Sequence, residues 1–254
     1  MHTVNVNGAN KELSNIYTNI GGVWKEYATG YDCIGGAWKE FPSSGTPVST
    51  LAKDTSVYVN MDGVPCEWYI VYQGNPNTSL YDSSCNGTWL IPNSSLEQRQ
   101  WNSTLHNDYE NSDIHKYLNG DFLNKFDSGF RNIIKQVKIP YRPGSGNSST
   151  VLNGSSGLST KLFLPSSREW SVGGVNGTPN IGAGLGIYKK GEEEVYWLRS
   201  PYFYKNNYTA WYTMPISSYG PGAPSDDVTS IKGLRPLMII PSDTMVDDNM
   251  NILA

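Results

Sequence analysis

The stretch SVYVNMDGVPCEWYIVYQG, Ser56 to Gly74, alternates apolar and polar side chains on either side of Asp62-Gly63. A two-residue period is that of a strand with one buried face, and Asp-Gly accepts the positive φ of a two-residue turn. The stretch predicts antiparallel strands over 56–61 and 64–73, and an antiparallel frame for the strands after them. Further along, WLIP (Trp89 to Pro92) reads as a short strand or anchor. Three closing strands are expected at Val195 to Leu198, about Ala210 to Met214, and Gly233 to Ile240.

Two helices are expected between these strands. Ser112 or Asp113 can cap one whose apolar residues Ile114, Tyr117, Leu118, Phe122 and Phe126 share a face, with Asn119-Gly120 as a break. Asp127 or Ser128 can cap the second, where Phe130, Ile133, Ile134 and Val137 recur at helical spacing ahead of Pro140. Tyr141 to Thr160 is rich in Gly, Ser and Asn and reads as a loop outside the core. TKLFLPSSREW gives a short strand and then a turn capped by Ser166 or Ser167 ahead of Glu169. VNGTPNIGAGLG is a second loop, and DTMVDDNMNILA a frayed tail or partner contact.

Before the main region, YTNIGGVWKEY (Tyr17 to Tyr27) recurs as YDCIGGAWKEF (Tyr31 to Phe41), fourteen residues on. Gly21-Gly22 and Gly35-Gly36 suit the turns of two hairpins, each too short for a core of its own. PSSGTPVS (Pro42 to Ser49) is a linker by composition. The expected division is a hairpin-repeat region, 1–47, followed by one domain, 48–254. Charged residues make up only 17% of the chain, so its polarity comes from Asn, Ser, Thr, Gly and Tyr. Such residues favour turns and short strands over long helices, and the expected class is α+β with mostly antiparallel strands.

Composition also narrows function. A net charge of -4 without a basic block argues against a nucleic-acid partner. No apolar run is long enough to span a membrane, and the N-terminus lacks a signal-peptide pattern, so a soluble product made in the cytoplasm is expected. Cys33, Cys66 and Cys85 form no CxxC pair and suggest free thiols rather than a disulfide framework or zinc site. His2, His106 and His115 are the only histidines, and none has a visible catalytic partner; His115 reads as a helix polar-face or capping residue. No catalytic residue, metal set or cofactor is assigned, and the glycines of 175–186 lack the flanking strand and helix of a phosphate loop. Asp226-Asp227 with Asn206 or Asn207 could meet a hard cation, but a surface loop pair is favoured. Arg199 in WLRSP and Arg235 in GLRPL sit in apolar surroundings; with Trp197 they read as scaffold, each guanidinium satisfying loop carbonyls or a carboxylate. A competing enzymatic reading gives acid/base work on cell-wall polysaccharide to Asp108, Glu110 and Asp113.

YENSDIHKYLNGDFLNKF, FLPSSREW, YWLRSP and GLRPLMII, in that order, resemble domain-of-unknown-function family 6273 of Firmicutes phages and gut bacteria, over roughly Ser49 to Asp243. That resemblance implies a C-type-lectin-like fold, similar to formylglycine-generating enzymes and to the variable proteins of diversity-generating retroelements. No cysteine follows Cys85, so the copper-binding pair of the enzyme branch is unmatched, and the calcium-lectin signatures EPN, QPD and WND are absent. The N-terminal doublet is similar to elements of phage tail and virion proteins. Together these imply a non-enzymatic virion protein that binds a host-surface glycan or protein. It would form homo-oligomers, or join other virion proteins, through residues 1–47. The segment after the WLRSP corner would then be the display zone. Tyr202, Tyr204, Tyr208, Trp211 and Tyr212 supply aromatic area there, while Asn206, Asn207, Ser217, Ser218 and Tyr219 supply adaptable polar contacts.

Overall fold

The computed structural model describes the backbone of 2–6, 9–13, 17–20, 23–26, 31–34, 37–40, 45–143, 150–171, 181–187, 194–204, 207–212 and 225–254; side chains are described only from residue 45 on, excepting 203–208 and 211–212. The chain divides into two compact units, Met1–Thr46 and Pro47–Ala254. In the first, His2–Val6 pairs with Ala9–Leu13, Tyr17–Ile20 with Val23–Glu26, and Tyr31–Ile34 with Ala37–Glu40, all antiparallel. The two copies of the sequence repeat pair in the same register, Ile20 opposite Val23 and Ile34 opposite Ala37.

The second unit is mostly antiparallel strand with few short helices. Its centre is a five-stranded sheet in the order Leu162–Phe163, Leu237–Ile240, Gly87–Pro92, Val64–Gly74, Ser56–Met61. Asp62 and Gly63 take φ of 50° and 79° between the last two, as a tight turn between twisted strands requires. Strand alternation then sorts side chains onto two faces. Leu90, Leu162, Met238 and Ile240 join one core, with Trp68 and Ile70. Trp89, Ile91, Phe163, Leu237 and Ile239 join the other, with Val71. Being buried on both sides, WLIP and LMII read as continuous apolar runs. A Cβ on Gly87 would lie 2.5 Å from the carbonyl oxygen of Ile240, so the central pair approaches too closely there for any other residue.

The first face is covered by the helical segment. Ser112 caps Asp113–Tyr117 by accepting from the His115 N–H. The chain then stays helical through Asn119-Gly120, as a π turn over Leu118–Phe122 and a 3-10 turn over Leu123–Lys125. The wider π turn keeps Leu118, Phe122 and Phe126 in the core. The second helix is only Ser128–Ile133; Val137, expected within it, begins a strand that pairs with Leu158–Thr160. That strand also corrects the reading of 141–160 as wholly outside the core, because Thr160 is buried and Leu158 packs against both clusters. A third helix, Ser167–Trp170, carries a complete capping box between Ser166 and Glu169.

Four other expectations change. Gly233 to Ile240 is two strands, Ile231–Leu234 and Leu237–Ile240, in different sheets, because Pro236 has no N–H to donate between them. The WLRSP corner is one continuous strand, Trp197–Tyr204, with a register irregularity before Pro201; it pairs with Asn207–Tyr212, which pairs with Ser225–Asp227. The tail is not frayed: Met245–Val246 pairs with Ile252–Leu253, and Met250 accepts from the Tyr58 N–H. Val48, placed in the linker, is fully buried. Glu97–Gln100, all polar and so without strand alternation, nevertheless pairs with Ile231–Leu234. No helix among the described residues is long and apolar enough to cross a membrane.

Trp89 reads out this double-faced core. It is fully buried, meets Tyr81 and Phe163 edge-on, and donates its indole N–H to the carbonyls of Gly74 and Cys85. Trp89→Ala is expected to cost about 3–5 kcal/mol, measured by denaturant unfolding.

Candidate functional site

Arg199 and Glu169 meet with neither side chain exposed. The capping box turns Glu169 inward, where Oε1 accepts from Arg199 at 2.7 Å and from the Tyr81 hydroxyl at 2.6 Å. Its Oε2 accepts from the Ser166 N–H and from the second guanidinium nitrogen. Arg199 also donates to the carbonyls of Leu164, Ile181 and Pro140. Burial opposes the guanidinium charge, but Glu169 outweighs it and holds Arg199 above its ordinary value. Tyr81 is pushed well up, by burial and then by Glu169. Glu169 has no edge left for a ligand, and of the Arg199 nitrogens only Nε is without a partner among the described residues. Arg235, equally buried, donates to the carbonyls of Pro92 and Asn93 and approaches the Tyr196 hydroxyl. Trp197 is buried and donates to the Arg99 carbonyl.

Of the expected display residues, Tyr202 is half-buried with its ring against the second core. Tyr204, Asn207, Tyr208, Trp211 and Tyr212 lie on the paired strands, but their side chains fall outside the described residues. Asn206, Ser217, Ser218 and Tyr219 lie outside them altogether.

A feature with no clear mark in the sequence joins this strand pair to a polar cleft. Asn107 is fully buried, and its side-chain amide donates to the carbonyls of Tyr202 (3.1 Å) and Thr209 (3.0 Å), one on each strand. The same loop, 101–112, frames a cleft of about 360 Å³. Buried Asn102 forms its floor, accepting from the Asp113 N–H and donating to the His106 carbonyl. Exposed Ser103, Thr104, His106, Asn111 and Lys116 line the rest with Asp108 and Asp113. Asp113 accepts from Ser103, which holds its carboxyl below the usual range. Asp108 accepts from the Asn111 amide at 2.7 Å, but its buried Oδ1 has no hydrogen-bond partner among the described residues. The third carboxylate of the enzymatic reading, Glu110, accepts from the Tyr141 hydroxyl. Asp226 pairs with Lys232, and no group of three or more His, Cys, Asp or Glu among the described residues could hold a metal. The signal for the cleft was the run of Asn, Ser and Asp between Trp101 and Ile114, whose buried members cannot be told from exposed ones by type.

Behind the cleft, His115 is buried, with Nδ1 3.2 Å from the Glu110 carbonyl and Nε2 3.2 Å from the Thr160 hydroxyl. Burial lowers its pKa, partly countered by Glu110. The unfolded chain therefore binds a proton that the folded chain resists. Stability is full above the ordinary histidine pKa, about 6.5, and falls as the pH drops below it. Thermal unfolding between pH 7.5 and 5 should show a larger loss for the wild-type chain than for His115→Gln.

The family model for Domain of unknown function (DUF6273) matches residues 86–242, more than half of the sequence. All four quoted motifs lie within the match, which begins after the Ser56–Gly74 pair and not at about Ser49 as expected. No curated protein and no solved structure matches the chain. The chain belongs to the DUF6273 family.

Proposed function

We propose that this chain is a virion-associated binding protein rather than an enzyme. Its main domain is of C-type-lectin-like type and displays the Tyr202–Tyr212 strand pair toward a host-surface glycan or protein. The N-terminal hairpins, residues 1–47, would attach it to other virion proteins or to its own copies. One observation supports the reading: the buried Asn107 amide fastens both strands of the pair to the polar cleft loop. Binding faces are commonly irregular segments held by a scaffold that does not depend on them. The carboxylates of the enzymatic alternative are poorly suited to it. A general acid needs a raised pKa, whereas Asp113 is lowered and Glu110 is occupied by Tyr141.

Adhesion of the purified full chain to host cells tests the proposal. Replacing Tyr204, Tyr208 and Trp211 together by alanine is expected to abolish adhesion while shifting the unfolding midpoint little. A wild-type chain that does not adhere, or a triple variant that unfolds, would refute it.

A further inference from the structure

Behind the cleft, one hydroxyl proton faces three acceptors. Thr160 is buried, and its Oγ1 lies 3.2 Å from His115 Nε2, 2.7 Å from the Leu162 carbonyl oxygen and 3.0 Å from Asn119 Oδ1. A threonine hydroxyl carries a single proton, so it serves one of the three at a time, yet it can also accept. Two of the acceptors are supplied elsewhere. Asn119 Nδ2 donates to the Leu162 carbonyl, and Asn119 Oδ1 accepts from the Lys161 and Leu162 N–H groups. For His115 Nε2, Thr160 is the one hydrogen-bond partner among the described residues. The other ring nitrogen is decided by its neighbour: the Glu110 carbonyl, 3.2 Å from Nδ1, can only accept, so Nδ1 carries a proton in either charge state. Neutral His115 therefore presents Nε2 as an acceptor, satisfied only when Thr160 donates to it. Charged His115 presents a donor there, and Thr160 must accept.

We propose that His115 and Thr160 form a proton-driven switch, in which the hydroxyl reverses direction as the imidazole gains its charge. At neutral pH the Thr160 proton ties the Asp113–Tyr117 helix to the Leu158–Thr160 strand through Nε2. When a proton from solvent adds to the Nε2 lone pair, that N–H donates to Thr160 Oγ1, and the hydroxyl proton swings to the Leu162 carbonyl. Helix and strand stay joined in both states. What changes is the edge of the central sheet, where Leu162 gains a further donor beside Asn119. Burial is the main force against the imidazolium; Glu110, whose carboxylate accepts from the Tyr141 hydroxyl, favours it, and exposed Lys116 opposes it. The Tyr109 ring, centred 5.0 Å away, and the neutral Asn119 and Thr160 complete the surroundings. A hydrogen bond from a charged donor is stronger than one between neutral groups. Thr160 thus offsets part of the cost of burying the charge and limits the acid loss of stability that His115 brings.

Ring 15N shifts of His115 and the carbonyl 13C shift of Leu162, followed by NMR on the full chain from pH 7.5 downward, test the switch. At pH 7.5 Nδ1 is expected to be protonated and Nε2 bare, and the Leu162 carbonyl signal should move with the same midpoint as the ring. In His115→Gln that signal should no longer follow the pH. Thr160→Val, which removes the hydroxyl and keeps the branched shape, should shift the His115 midpoint to lower pH, and Thr160→Ser should restore it. A neutral ring protonated on Nε2, a Leu162 signal that ignores the ring's titration, or a midpoint that Thr160→Val leaves in place overturns the proposal. The first two are read on the wild-type chain, so they decide it even if Thr160→Val does not fold.

Discussion

The buried pair of Arg199 and Glu169 is the constraint on which the second unit's arrangement rests. Removing two such charges from water costs several kcal/mol each, and their attraction offsets this only when their remaining hydrogen-bonding groups are satisfied. Nearly all are: Tyr81 and the Ser166 N–H complete the carboxylate, and the carbonyls of Pro140, Leu164 and Ile181 surround the guanidinium. Only Arg199 Nε has no partner among the described residues. The pair contributes less through net stability than through position. It fixes four segments, around Pro140, Leu164 to Glu169, Ile181 and Arg199, that share no regular ladder.

That pin complements the sheet. Alternation in five short strands builds two cores, one under the helices and one under the 137–139 strand, Trp170 and the 181–187 segment. Arg199 lies beside the second, its guanidinium carbon 5.5 Å from the Phe163 ring centroid, and its own strand continues into the Tyr202–Tyr212 pair. Asn107 grips the same two strands from the cleft side. The strand pair proposed to meet a ligand is thus held by buried polar groups.

How much of this was legible depends on the range of each signal. Asp62-Gly63 and its flanking alternation are local, so that strand pair was readable almost to the residue. The capping residues Ser112 and Ser166 were readable for the same reason, since a cap is satisfied within three residues. Val137 was misjudged because it fits both the helical stripe of Ile133 and Ile134 and a short strand alternation with Ile139, until the partner, Leu158–Thr160, is known. Glu97–Gln100 showed no pattern at all. The apolar surroundings of Arg199 marked it as structural, but its carboxylate, thirty residues away, could not be named, nor could the buried state of Asn107. Polar residues in loops reveal their partners only once the chain has folded.

Hydrogen exchange on Arg199→Lys, followed residue by residue, tests the pin most directly, because lysine keeps the charge and loses the planar fork. Amides bound to this network, Ala183 to the Tyr81 hydroxyl and Leu185 to the Glu169 carbonyl, are predicted to lose protection, while Leu90 and Ile239 in the central sheet keep theirs. Unchanged protection at Ala183 and Leu185, or an equal loss at all four, would contradict the account.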